Sequence, residues 1–137
     1  MGDPQRVLLV DDDREIVRGA SLRLKAAGFG TLFAHDGGAG VAAAVAHKPD
    51  AIVLDVRMPR MDGLAALREL RRREATKNIP IIMLSASLVD QKQSLEEGAR
   101  FFVRKPYQGE ELVAAVRKAM EDPRSPETGA GQNESRP

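Results

Sequence analysis

Short apolar runs recur along the chain at Val7–Val10, Thr31–Ala34, Ala51–Leu54, Ile81–Leu84 and Phe101–Val103. Each is too short for a helix and too continuously apolar for a strand with one wet face, which predicts strands buried on both sides. Between them the apolar positions change to helical spacing. Ile16, Val17, Ala20, Leu24 and Ala27 form one stripe, closed by Gly28, and an Ala/Val-rich helix is predicted from about Ala39 to Ala46 after the turn His35-Asp36-Gly37-Gly38. Leu64, Leu67 and Leu70 mark a helix running to about Glu74, and Leu112, Val113, Val116 and Met120 mark a last one. The stretch Ala86–Glu97 is predicted helical on a poor apolar face, with Leu88 and Leu95 as its anchors. Strand and helix therefore alternate five times with short connections. That pattern implies an α/β fold, with a parallel sheet covered by helices on both faces and ligands bound beyond the carboxyl ends of the strands.

Polar groups stand where the runs stop. Asp11-Asp12-Asp13 follows the first strand, Asp55 the third, Ser85 the fourth and Lys105 the fifth. Parallel strands place all these ends on one edge, so groups distant in sequence converge. Clustered carboxylates raise one another's pKa, and a hard divalent cation relieves them. Oxygen donors without His or Cys suit Mg²⁺. Lys105 and Ser85 offer an ammonium and a hydroxyl suited to phosphoryl oxygens. Asp55 could then attack phosphorus as a carboxylate nucleophile and form an aspartyl phosphate.

Each residue also has a plainer explanation. Asp12 with Glu15 matches a capping box for the first helix. Asp55 could be a strand-end cap, Ser85 structural and Lys105 a surface lysine. Asp62-Gly63 reads as a turn, with Gly63 expected at positive φ. The functional reading rests on the coincidence of these groups at one edge.

Composition narrows the classes. The chain has 137 residues, no cysteine and a formal net charge of +1, which removes disulfides, thiolate metal sites and any global field favouring nucleic acid or membrane. Met1–Arg6 lacks the apolar core of a signal peptide, and Arg6 stands where a myristoylation motif wants Ser or Thr. The expectation is a soluble, cytoplasmic single domain over residues 1–120. Residues 121–137 hold too little apolar surface to order themselves and read as a disordered tail or linker remnant. Gly38-Ala39-Gly40-Val41-Ala42-Ala43 formally matches a dinucleotide fingerprint, but it follows the second strand and lacks the acidic partner downstream. The cations between Arg68 and Lys77 read as a solvated helix face, with Glu69 pairing Arg72 or Arg73. His35 and His47 read as surface residues.

Taken together, Asp11-Asp12, Asp55-Val56-Arg57-Met58-Pro59 with Asp62-Gly63, Ser85-Ala86 and Lys105-Pro106 resemble the receiver domain of two-component response regulators. The resemblance covers roughly Arg6 to Met120 and is chemotaxis-regulator-like. It implies a flavodoxin-like, doubly wound five-stranded parallel sheet of order 2-1-3-4-5. It implies that Asp55 is the phosphoacceptor and that Mg²⁺ is held directly by Asp12, Asp55 and the Arg57 carbonyl, with Asp11 acting through water. Ser85 and Lys105 would follow the phosphoryl group, Lys105-Pro106 would be cis, and Phe102 would be the aromatic switch, lacking the hydroxyl of a Tyr. The implied donors are a sensor histidine kinase, a phosphotransfer protein or a small phosphodonor in a phosphorelay, and the implied behaviour is that of a switch rather than an enzyme. No output region follows Met120, so neither nucleic acid nor membrane is expected as a direct partner. Two departures stand out: Ser85 to Lys105 is about two residues shorter than the family pattern, and Arg57 and Ser87 occupy positions that tune phosphoryl lifetime. The alternatives are a haloacid-dehalogenase-type Mg²⁺ hydrolase, which wants an acid where Arg57 stands, and a receiver-like binding module that is never phosphorylated.

Overall fold

The structure is a computed structural model and describes residues 3–121. The elements are β1 (Arg6–Val10), α1 (Arg14–Ala26), β2 (Gly30–Ala34), α2 (Gly37–His47), β3 (Ala51–Asp55), α3 (Gly63–Arg72), β4 (Ile81–Ser85), α4 (Leu88–Glu96), β5 (Phe101–Arg104) and α5 (Gly109–Glu121). The five strands pair in parallel in the order β2-β1-β3-β4-β5. The expected tail, apart from Glu121, lies outside the described residues.

Alternation along each central strand builds two cores. Leu8, Val10, Ile52, Leu54, Ile81 and Met83 face Val41, Ala44, Leu64, Leu67 and Leu70 of α2 and α3. Val7, Leu9, Val53, Ile82 and Leu84 face Val17 and Leu24 of α1 and Leu112, Val113 and Val116 of α5. Full burial of each such Leu, Ile or Met side chain stabilises the fold by about 1.5–3 kcal/mol before entropy is counted. This two-sided burial is why β1, β3 and β4 appear as unbroken apolar runs; the edge strands β2 and β5, expected to be buried on both sides, are only partly covered and leave Phe33 and Arg104 exposed. The fingerprint-like Gly40 serves the same packing: a Cβ there would press on both methyls of Val10, so the glycine lets α2 lie against β1.

Side-chain oxygens cap four helices. Asp13 accepts from the N–H groups of Glu15 (3.0 Å) and Ile16 (3.3 Å), Asp36 from Ala39 (2.8 Å), Asp62 from Ala65 (2.9 Å) and Ser87 from Asp90 (3.4 Å). The first of these corrects the expected Asp12–Glu15 capping box. The helix begins one residue later, Asp13 takes the cap, and Asp12 is left exposed and free for other work. Asp13→Ala should therefore cost about 1 kcal/mol in urea denaturation, while Asp12→Ala should stay within about 0.5 kcal/mol of wild type.

Other expectations shift as well. α2 starts at Gly37 and runs to His47, and α3 stops at Arg72 rather than Glu74. Arg71 is not part of a solvated face. Its guanidinium donates to the carbonyls of Gly98 (3.0 and 2.8 Å), Lys77 (2.9 Å) and Ile79 (2.8 Å), tying the turn before β4 to the end of α4. Burial, with Arg100 nearby, pulls its pKa down to about 10. Glu69 does pair with Arg72 and Arg73 on the wet side.

The largest correction concerns α4. Leu88 and Leu95, the expected anchors, are 61% and 45% exposed, and the residues this helix buries are Asp90 and Ser94. Its inward face is polar: Asp90 enters a side-chain network, while the Ser94 hydroxyl is buried without a hydrogen-bond partner.

Candidate functional site

The parallel topology delivers the strand-end groups to one edge as expected. Asp55 is the last residue of β3 and pairs in register with Leu84, while Ser85, the last residue of β4, lies opposite Arg104. The loop after β3 is held by two backbone bonds: Val56 N–H to the Leu84 carbonyl (3.0 Å) and Gly63 N–H to the Val56 carbonyl (2.8 Å). The positive φ expected at Gly63 belongs instead to Arg60, at 63°. Gly63 is glycine for a different reason, since a Cβ there would collide with the backbone carbonyl of Asp55.

Carboxylate oxygens of Asp11, Asp12 and Asp55 lie within 4.8 Å of one another. Lys105 Nζ donates to Asp55 Oδ1 at 2.7 Å and sits 3.9 Å from Asp11 Oδ2. The Lys105–Pro106 peptide bond is cis, as expected. Asp11 Oδ1 accepts from the Asp13 N–H at 3.0 Å, whereas Oδ2 is buried without a hydrogen-bond partner. An unbonded buried carboxylate oxygen facing two further carboxylates is the donor set a hard divalent cation fits. His35 is not simply a surface residue: half-buried, its Nδ1 lies 3.2 Å from the Asp11 carbonyl.

The electrostatics follow from burial. Desolvation pushes the Asp55 carboxyl up to about 6, with the Lys105 hydrogen bond opposing and the Asp11 charge adding to the rise. Asp11 is raised for the same first reason. Burial pulls the Lys105 ammonium down, but the hydrogen bond and charge of Asp55 outweigh it and leave it raised. Divalent charge at this spot would lower both carboxyls.

Ser85 makes a bond that sequence reasoning missed. Its hydroxyl donates to Asp90 Oδ2 at 2.6 Å and accepts from the Ser87 N–H at 3.1 Å. Arg57 Nε and Nη2 clamp the same carboxylate at 2.9 and 3.0 Å. The available signal was the spacing Ser87-x-x-Asp90, which suggests a capping box and says nothing of Ser85 or Arg57. Phe102 is half-buried in β5 and packs against the core cluster that contains Met83.

This fold and edge match a known family. The model of the response regulator receiver domain covers residues 7–117 of the chain. The chain belongs to this family. The receiver domain is 40% identical over 117 residues to RpaA of Synechocystis sp., a DNA-binding dual master transcriptional regulator, covering 84% of this chain and 48% of the relative. Its structure resembles chemotaxis protein CheY4 of Vibrio cholerae, with a TM-score of 0.79, 30% identity and coverage of 85% and 98% of the two chains. It also resembles the receiver domain of the sensor histidine kinase PA1611 from Pseudomonas aeruginosa, whose structure holds a magnesium ion in its active-site cleft. There the TM-score is 0.81 at 30% identity, covering 87% and 99% of the two chains. The expected order 2-1-3-4-5 and the receiver resemblance are thus borne out.

This receiver domain spans about half the length of the curated relatives it matches. Because RpaA is itself a DNA-binding regulator, the expectation that no nucleic acid is contacted finds no support from the relatives. Among the described residues no helix is long and apolar enough to cross a membrane.

Proposed function

We propose that Asp55 is the phosphoacceptor of this receiver domain, and that its phosphorylation switches partner binding in a cytoplasmic phosphorelay. The observation that carries this reading is the meeting of Asp55, Asp11 and Asp12 within 4.8 Å, with Lys105 bonded to Asp55 at 2.7 Å. A carboxylate oxygen of Asp55 attacks the phosphorus of a phosphohistidine on a sensor kinase or phosphotransfer protein. The donor's P–N bond breaks and its electron pair stays with the imidazole, which takes up a proton. Lys105 stabilises the phosphoryl charge as it arrives. Water later attacks the same phosphorus, releasing inorganic phosphate and restoring the Asp55 carboxylate.

Asp11, Asp12, Asp55 and the Arg57 carbonyl would hold Mg²⁺. When bound, the ion supplies charge neutralisation at the transferring phosphoryl group. The chain's own residues do the rest: Ser85 and Lys105 follow the phosphoryl oxygens, Phe102 changes its packing, and the cis Lys105–Pro106 bond leads into the α5 side of the site. Differential contact with the added charge shifts the domain between two packings. Residues 1–120 form the receiver and 121–137 a tail or linker. The domain processes its own phosphoryl group and no separate substrate, and Arg57 stands where a dehalogenase-type hydrolase would need an acid.

Incubation with acetyl phosphate and Mg²⁺, followed by intact mass measurement, tests this directly. Wild type should gain one phosphoryl adduct, lost on chelation of the metal beforehand, and Asp55→Asn should gain none. An equal adduct on Asp55→Asn would remove Asp55 from the role, and many turnovers of a soluble phosphoester would favour the hydrolase.

A further inference from the structure

We propose that Asp90 is a positioning residue that competes with a phosphoryl group on Asp55 for the hydroxyl proton of Ser85, with Arg57 holding Asp90 in place. This rests on the phosphoacceptor reading above. Ser85 has one O–H to donate. In this structure that proton goes to Asp90 Oδ2 at 2.6 Å, a short bond of the kind made to an ionised acceptor. Asp90 is well prepared to accept it. Its side chain is 4% exposed, and two parallel bonds from Arg57 at 2.9 and 3.0 Å fix the carboxylate plane.

Any phosphoryl group on Asp55 brings three new acceptor oxygens to the neighbouring strand end. Ser85 cannot serve both acceptors. Turning its hydroxyl toward the phosphoryl group breaks the bond to Asp90 and leaves that buried carboxylate with Arg57. The cost of that exchange is subtracted from phosphoryl binding, so the Asp90-bound state acts as a competing conformation. The exchange also reaches the first turn of α4, because the Ser87 N–H bonds to Ser85 and the Ser87 hydroxyl accepts from the Asp90 N–H. This gives Arg57 a role that its position in the motif could not reveal. It orients a competitor for Ser85 through its side chain, while its backbone carbonyl is the group proposed to hold the ion.

The test is a titration of the full chain with beryllofluoride, a phosphoryl mimic, at saturating Mg²⁺, followed by ¹⁹F NMR or calorimetry. Asp90→Ala should bind the mimic roughly tenfold tighter than wild type, because one charge-assisted hydrogen bond no longer opposes it. Asp90→Asn, which keeps the shape but weakens the acceptor, should gain roughly threefold and decides the matter if the alanine variant does not fold. Mg²⁺ affinity should be unchanged in both, and in a Ser85→Ala background the gain from either substitution should vanish. Unchanged or weaker binding of the mimic by a folded Asp90 variant, a parallel loss of Mg²⁺ affinity, or a gain that survives Ser85→Ala would each overturn the inference. Failure of wild type to bind the mimic at all would instead remove the phosphoacceptor reading beneath it.

Discussion

Asp55→Asn is expected to stabilise the metal-free protein by about 3 kcal/mol at pH 8 and by almost nothing at pH 4. The Asp55 carboxyl has its pKa raised from 3.8 to about 6, chiefly because burial disfavours the charged form, against the opposing hydrogen bond from Lys105. A group whose pKa is higher in the folded state binds its proton more tightly there. The stability it contributes is complete below about pH 4 and is lost as pH rises through about 6. Above that range the folded protein carries a carboxylate it would rather keep neutral, and the gap corresponds to about 3 kcal/mol. An asparagine reproduces the neutral form and still offers Lys105 an oxygen. Urea denaturation in EDTA at the two pH values measures the difference. A gain of equal size at both, or a loss at pH 8, would show that the carboxylate is not strained by its burial. Magnesium, proposed to bind the folded wild type, should nearly cancel the difference at a hundred times its Kd, where it contributes about 2.7 kcal/mol, and reverse the order at a thousand times, where it contributes about 4.1 kcal/mol. The residue that weakens the metal-free site is thus the one proposed to hold the ion and accept the phosphoryl group.

The same physics separates what could be read along the chain from what could not. The sheet was legible because strands covered on both faces admit no polar position, so Ala51–Leu54 and Ile81–Leu84 stand out as unbroken apolar runs. The site was legible as a set of strand ends, because a parallel sheet sends Asp11, Asp55, Ser85 and Lys105 to one edge whatever the helices do. The identity of the cap was not. Three consecutive aspartates offer three possible helix starts, and the spacing to Glu15 favoured Asp12 where the backbone turns at Asp13. Nor was α4 legible. Leu88 and Leu95 looked like anchors because apolar residues normally turn inward, yet Asp90 and Ser94 occupy the buried face. A buried carboxylate is stable only with partners, and those partners, Arg57 and Ser85, lie on other elements. Helical periodicity along α4 cannot register them.

Gly63→Ala should lower stability by about 3 kcal/mol and weaken Mg²⁺ binding about tenfold, although it places the better helix former at the start of a helix. The added Cβ would meet the carbonyl oxygen and carbon of Asp55 and the Cα of Val56. These are backbone atoms, unable to swing aside as a flexible side chain can. Relief requires the start of α3 to move away from the end of β3, which breaks the 2.8 Å bond from the Gly63 N–H to the Val56 carbonyl. That bond closes the loop carrying Arg57, whose carbonyl is proposed to face the ion, and the displacement begins at Asp55 itself. Stability and metal affinity should therefore fall together. Gly19→Ala supplies the contrast: it lies within α1, a Cβ there meets nothing within 4 Å, and the substitution should stabilise by about 0.5–1 kcal/mol. Urea denaturation of both variants, with calorimetric Mg²⁺ titration of the first, measures the opposing signs. A Gly63→Ala protein as stable as wild type would mean that the loop can open without cost, and the close approach of α3 to Asp55 would lose its place in holding the site.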